Sequence, residues 1–271
     1  MLFNETKRKV IFIDWSIFVH KAIFARQEMP ITYTCIRMIL SILKLLSLKE
    51  TDLIIFAIDS SKGNWRKQLD TNYKANRADI RKKSGLDWDE LFGEFSEFLE
   101  NINVSTPFHV VEIDNLEADD IIAYGCRYYK DDDCIIVSSD TDYEQLTAFE
   151  NVKLLSSNSK KFKIVKNPYK SLAKKIQYEK TDNLISPILN QQDFDLRNKI
   201  VNLLTLPAEV ESPIHFELSK ITDTKDFDIE LFRFEKLQQE ILNIYLPQKK
   251  TVSINDSFKK KRKKVEQNTL F

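Results

Sequence analysis

The sequence predicts an α/β fold: a mainly parallel central sheet covered by helices on both faces. Three observations carry this. Short apolar runs suited to buried strands alternate with segments of helical spacing through the first 165 residues. Several of those runs end on an Asp, as strands that deliver polar groups to one sheet edge do. The chain has 271 residues, 42% of them hydrophobic and 30% charged, so it holds enough apolar side chains to fill a sizeable core.

Taken in order, residues 10–14 (VIFID) form the first strand run. Helical spacing follows over 16–26 and 31–48, the second segment rich in Ile and Leu. Residues 53–59 (LIIFAID), 108–113 (FHVVEI) and 134–138 (CIIVS) are three further strand runs. Their unbroken apolar character suits strands buried on both faces, as in parallel sheets. Helical patterns lie between and after them at 87–102, 117–130 and 142–149. Residues 62–85 break the pattern with eight basic side chains against two acidic ones, interrupted by Trp65 and Tyr73. With little apolar periodicity, that stretch is expected to be a functional loop or mobile helix, or else a solvated helix face. Segments 168–178, 193–204, 207–220 and 228–245 look helical, punctuated by Pro207, Pro213 and Pro247. From 248 on the chain is polar and basic, as flexible tails are.

Composition excludes several classes. Four glycines stand where ordinary usage would give about nineteen. A P-loop and a dinucleotide fingerprint both need closely spaced glycines, so neither is present. Three cysteines and three histidines are scattered without zinc spacing and at no density for a disulfide framework. That pattern fits a reducing cytosol. No secretory-type apolar leader and no membrane-length apolar run is visible, so a cytoplasmic protein is expected. The net charge of zero hides a polarity, because residues 249–271 carry eight basic and two acidic side chains over an acidic body.

The acidic side chains carry the chemical signal. Asp14 and Asp59 each end a strand run, Asp140 and Asp142 follow another, and Glu117, Asp119 and Asp120 open a helix soon after a fourth. In an open parallel sheet these positions share one rim, where ligands bind. An Asp after a strand is also the ordinary N-cap of the next helix, so each one alone has a structural explanation. Together, however, they crowd like charges into one place, which divalent cations relieve. Hard Mg²⁺ or Mn²⁺ takes carboxylate oxygens and needs few per ion.

The segments VIFIDWSIFVHKAIF, NYKANR, LEADDIIA, SSDTDYEQL and EKTDNL occur in that order over residues 8–190. Together they resemble the 5′-nuclease superfamily of flap endonucleases and 5′–3′ exonucleases, and within it the branch typified by the ribonuclease H of T-even phages. That branch also has a WDW-like element after the basic stretch, here Leu86-Asp87-Trp88-Asp89. The resemblance implies a PIN/5′-nuclease-like core over 1–190 with a basic arch at 62–85, a helical extension over 191–247 and a tail over 248–271. It implies a first metal cluster of Asp14, Asp59, Glu117, Asp119 and Asp140, with Asp120 adjacent, and a second of Asp142, Asp182 and Glu179. It assigns Tyr73, Lys74 and Arg77 to the arch that handles a 5′ single strand, with Arg81, Lys82 and Lys83 continuing it. The implied activity is Mg²⁺-dependent 5′–3′ exonuclease, flap endonuclease and ribonuclease H cleavage, using two ions, on DNA and RNA–DNA hybrids during replication. A single-strand-binding protein is an implied partner.

The chain also departs from the family pattern. Trp15 replaces a small residue, Glu179 stands where Asp is usual, and glycine is absent after Gly125, so the helix–hairpin–helix element is reduced or missing. The ending QNTLF resembles the peptides that dock replication proteins on sliding clamps, with Leu270 and Phe271 as an apolar anchor and Gln267 as a polar one. The preceding run 259–264 (KKKRKK) suits a phosphate tether. Two other readings remain open here: a PIN-like endoribonuclease of single-stranded RNA, and a non-catalytic clamp-associated DNA-binding protein.

Overall fold

The computed structural model describes residues 7–25 and 29–245. The elements in chain order are β1 (Lys9–Asp14), α1 (Trp15–Phe24), α2 (Ile31–Leu43), β2 (Leu53–Ile58), α3 (Trp65–Leu69), α4 (Asn76–Lys83), α5 (Trp88–Ser105), β3 (His109–Glu112), α6 (Ala118–Tyr128) and β4 (Asp133–Ser138). A 3₁₀ helix (Asp142–Ala148) leads to β5 (Val152–Ser156) and β6 (Phe162–Lys163). Helices α7 (Tyr169–Gln177), α8 (Gln191–Val201), α9 (Ala208–Ser219) and α10 (Glu235–Leu242) complete the chain, with a short 3₁₀ turn (Ile229–Leu231) before α10.

The described residues form one six-stranded sheet in the order β3-β2-β1-β4-β5-β6. All neighbours are parallel except the β5–β6 pair. Register aligns Ile13 with both Phe56 and Val137, so the ends of β1, β2 and β4 come level at one edge. Alternation along the strands builds the two cores. Ile11, Ile13, Ile54, Phe56, Ile135 and Val137 pack against α1, α2, α5 and α10. Val10, Phe12, Ile55, Cys134 and Ile136 pack against α6 and α9. Gly125 lets α6 lie on β1, because a Cβ there would meet the Phe12 ring at 2.5 Å. A third, smaller cluster joins Tyr73 to Leu172, Ile176, Leu184, Ile200 and Val201 beneath the base of α4.

The expected α/β architecture and its four principal strands are present, with several differences. Strands β5 and β6 extend the sheet beyond those runs. The segment at 142–149 is 3₁₀ rather than α. The helix expected over 31–48 stops at Leu43, and the chain then turns through Ser47, whose φ is 48°. The one expected over 228–245 is broken because Phe232 and Phe234 leave it to pack against Phe98. Within 62–85, α4 forms with no buried residue, while α3 buries Trp65 and Arg66.

Candidate active site: an acidic cleft at the strand ends

Asp14 closes β1 and immediately precedes α1, yet it makes no capping hydrogen bond. Its oxygens instead accept from the hydroxyls of Ser16 at 2.9 Å and Ser138 at 2.8 Å. Asp59 follows β2 and accepts the Ala118 N–H at 2.9 Å, which links the end of β2 to the start of α6. Asp119 accepts from the Tyr143 hydroxyl at 2.7 Å. Asp140 accepts the Asp142 N–H at 2.9 Å, folding the turn after β4 back on itself.

These acids feel one another. Burial and then the Asp59 charge hold the Asp14 carboxyl up at about 7. Burial, with Glu117 nearby, raises Asp59. Burial raises Asp119 well above the usual range, with Asp140, Glu117 and Asp142 adding to the push against the pull of Lys74. Asp142 rises to about 6 by burial, with Asp140 and Asp182 adding to it and Lys175 opposing. Asp14, Asp59, Glu117, Asp119, Asp140, Asp142 and Asp182 are thus one electrostatic community at one edge of the sheet.

Cations lie among them. Lys74 donates to Glu117 Oε1, and the Tyr73 hydroxyl donates to Oε2 at 2.9 Å. Burial by itself would raise Glu117, but Lys74 and Arg66 outweigh it and hold this carboxyl well below the usual range. Lys175 on α7 bridges Asp142 and Asp182, at 2.7 Å from the latter. Arg77 lies 3.5 Å from Asp182.

Three expected residues carry structural hydrogen bonds of their own. Asp120, expected beside the first metal cluster, is engaged in the scaffold. Its oxygens accept from both Arg66 Nη atoms, from Trp65 Nε1 and from the Glu117 N–H, in a fully buried pair. Tyr73, matched to the arch by resemblance, is 4% exposed and belongs to the third core cluster. Glu179 closes its own turn, accepting the Thr181 N–H at 2.9 Å. Arg81, Lys82 and Lys83 are exposed on α4 as expected. Gln267, Leu270 and Phe271 lie outside the described residues.

A sequence model described as the 5′-3′ exonuclease N-terminal resolvase-like domain matches residues 9–177, more than half of the chain. The chain belongs to this 5′-3′ exonuclease family. It is 32% identical over 139 residues to the ribonuclease H of Enterobacteria phage T4, covering 49% of this chain and 46% of that one. It is 33% identical over 165 residues to a 5′-3′ exonuclease of Buchnera aphidicola, covering 56% and 54%. The chain thus spans about half the length of the curated relatives it matches. Two solved phage T5 structures share the fold. One is a 5′-exonuclease with bound zinc ions, at TM-score 0.51 and 16% identity over 88% of this chain and 100% of that one. The other is a flap endonuclease with DNA and metal ions, at TM-score 0.51 and 18% identity over 89% and 100%.

As the side chains stand, no three His, Cys, Asp or Glu groups among the described residues converge to wrap a metal ion. The donor set of this 5′-3′ exonuclease family member nevertheless suits one. Every candidate ligand is a carboxylate, Asp14, Asp59, Asp119 and Asp142 sit above the usual carboxylate range, and Asp142 Oδ1 is buried without a partner. Residues missed from the sequence are Ser16, Ser138, Tyr143, Arg66 and Lys175. Ser138 and Tyr143 flank the DTD turn and were signalled by it. Arg66 was lost among the basic residues of 62–85, and Lys175 in a pair of lysines on a helix.

Proposed function

We propose that this chain is a divalent-metal-dependent 5′ nuclease that hydrolyses phosphodiesters at DNA 5′ ends, flaps and RNA–DNA hybrids. The observation that carries the reading is the gathering of Asp14, Asp59, Asp119, Asp140 and Asp142 around the level ends of β1, β2 and β4, where burial and then neighbouring carboxylates raise Asp14, Asp59, Asp119 and Asp142. The names of the relatives, a ribonuclease H and a 5′-3′ exonuclease, support the substrate class, as does a T5 flap endonuclease with DNA and metal ions.

In this reading Asp14, Asp59, Glu117, Asp119 and Asp140 hold one Mg²⁺ or Mn²⁺, and Asp142, Asp182 and Glu179 hold a second. Bound ions of this kind supply Lewis acidity and a water of lowered pKa for in-line attack. The protein supplies the rest. Ser16 and Ser138 fix the Asp14 carboxylate, and Tyr143 fixes Asp119. Lys74 and Arg77 carry positive charge to the place where a phosphate chain must enter an acidic cleft. Arg81, Lys82 and Lys83 extend that charge along α4, on the path of a 5′ tail. The activity belongs to replication in the cytoplasm, beside a single-strand-binding protein and a sliding clamp engaged by Gln267, Leu270 and Phe271. Deleting 267–271 then abolishes clamp stimulation on long primed DNA and leaves short substrates unaffected.

Labelled flap, nicked, RNA–DNA and single-stranded RNA substrates with Mg²⁺ test the reading. Cleavage of the first three with little on single-stranded RNA is expected. Cleavage of single-stranded RNA alone overturns it.

A further inference from the structure

The outer end of the arch carries an aromatic pair that the phosphate-handling role leaves unused. Trp88, at the start of α5, and Phe92, one turn on, lie with ring centroids 5.7 Å apart and tilted by 38°. The Arg81 guanidinium sits 5.8 Å from the Phe92 ring centre. The indole is held in place: Trp88 Nε1 donates to Ser84 Oγ at 2.8 Å and to the Arg81 carbonyl at 3.2 Å. Gly85, at a φ of 71°, makes the turn that folds α4 back toward these rings. Phe92 is 45% exposed, and Ile80 and Leu86 beside the turn are exposed as well. An aromatic face left open to solvent at a cost in hydration, yet fixed in orientation, is built to receive something.

Charge says what. Arg77, Arg81, Lys82 and Lys83 line α4 against a single acid, Asp79. Across the turn, Asp87, Asp89 and Glu90 surround Trp88. Phosphates are drawn to α4 and repelled from the start of α5. A flat, uncharged ligand is favoured on the rings. Unpaired nucleotides present both parts at once, an anionic backbone and a planar base about one nucleotide's width away.

We propose that Trp88 and Phe92 form a base-stacking platform on which unpaired bases of a single-stranded 5′ tail rest while α4 holds their phosphates. This rests on the nuclease reading, since it names how that site's substrate is gripped. It makes the arch sensitive to the presence of bases and not only to charge, and tolerant of sequence, because every base has a π face.

Fluorescence offers a direct readout, because Trp15 and Trp65 are buried and Trp88 alone of the three tryptophans is partly exposed. The full-length chain is titrated in EDTA with a duplex bearing a 5′ tail of ordinary nucleotides, and with the same duplex bearing an abasic tail of equal phosphate number. The ordinary tail is expected to quench tryptophan emission and to bind about tenfold more tightly than the abasic one. Trp88→Ala is expected to remove the quench and to equalise the two tails. Equal binding of both tails by the wild-type chain overturns the proposal and leaves an arch that reads phosphate alone. A change of oligomeric state on Trp88→Ala with both tails bound equally also overturns it, assigning the rings to contact with a second copy. Should Trp88→Ala fail to fold, the wild-type comparison of tails still decides. Binding without metal is independent of cleavage. Failure of the nuclease reading would therefore show as absent hydrolysis with Mg²⁺ while tail discrimination persisted.

Discussion

Arg66 and Asp120 meet in a closed two-pronged ion pair, with Nη1 donating to Oδ2 at 2.9 Å and Nη2 to Oδ1 at 2.7 Å. The pair is buried, and Arg66 Nε also donates to the Ile200 carbonyl at 2.7 Å, so one guanidinium ties α3 to both α6 and α8. It also reaches Glu117 at 3.0 Å, which couples the scaffold to the cleft.

Breaking this pair from one side leaves an uncompensated buried charge. Asp120→Ala and Arg66→Ala are each expected to lower unfolding free energy by about 3–5 kcal/mol, and the double substitution by less than the sum. Urea unfolding of the four proteins checks this. A loss below about 1 kcal/mol for both single variants would show that the pair adds little beyond packing.

Asp14 supplies a pH signature. Its carboxyl stands at about 7 in the folded chain against 3.8 for an ordinary Asp. Between those values the folded chain holds a proton that the unfolded chain has lost. Stability from this group is therefore present at low pH and lost as pH rises from about 4 to about 7, by up to about 4 kcal/mol. In EDTA, Asp14→Asn is expected to match the wild type near pH 4 and to exceed it near pH 8. Denaturant melts across that range give the difference, and parallel curves for the two proteins would contradict the assigned crowding.

The arch is expected to act through charge on phosphates. Replacing Arg81, Lys82 and Lys83 together by Ala should weaken binding of 5′-tailed duplexes while leaving tailless ones little changed. It should also make the dependence of log affinity on log salt shallower by roughly 2, at about 0.7 per single-strand contact. Titrations at several salt concentrations measure the slope. An unchanged slope would make α4 a solvated surface.

What the sequence made legible and what it hid divide along physical lines. Strand-end acids stood out because an Asp after VIFI or LIIFAI interrupts an unbroken apolar run, and the parallel register then brings those ends level. Arg66 did not stand out. A buried charge looks like any solvated one until its partner Asp120, more than fifty residues on, is placed beside it. Lys175 was hidden for the same reason, since it serves Asp142 and Asp182 from a helix that shows only ordinary amphipathic spacing. Strand β5 escaped notice because VKLLS is short and follows a 3₁₀ segment that was expected to be α. Of the candidate ligands, Asp120 had the local signature of its neighbour Asp119. Only the direction of the helix start separates one from the other, turning Asp119 toward Tyr143 and Asp120 toward Arg66.

The central claim is that the strand-end acids hold the catalytic metal, and one measurement addresses it most directly. Single-turnover cleavage of a 5′-tailed duplex with Mg²⁺ is compared for the wild type, Asp14→Asn and Asp140→Asn, with binding of the same duplex measured in Ca²⁺. Both variants are expected to bind the duplex about as tightly as the wild type and to cleave it at least a hundredfold more slowly, because metal catalysis supplies several kcal/mol. Cleavage by both variants at more than about a tenth of the wild-type rate would contradict the claim.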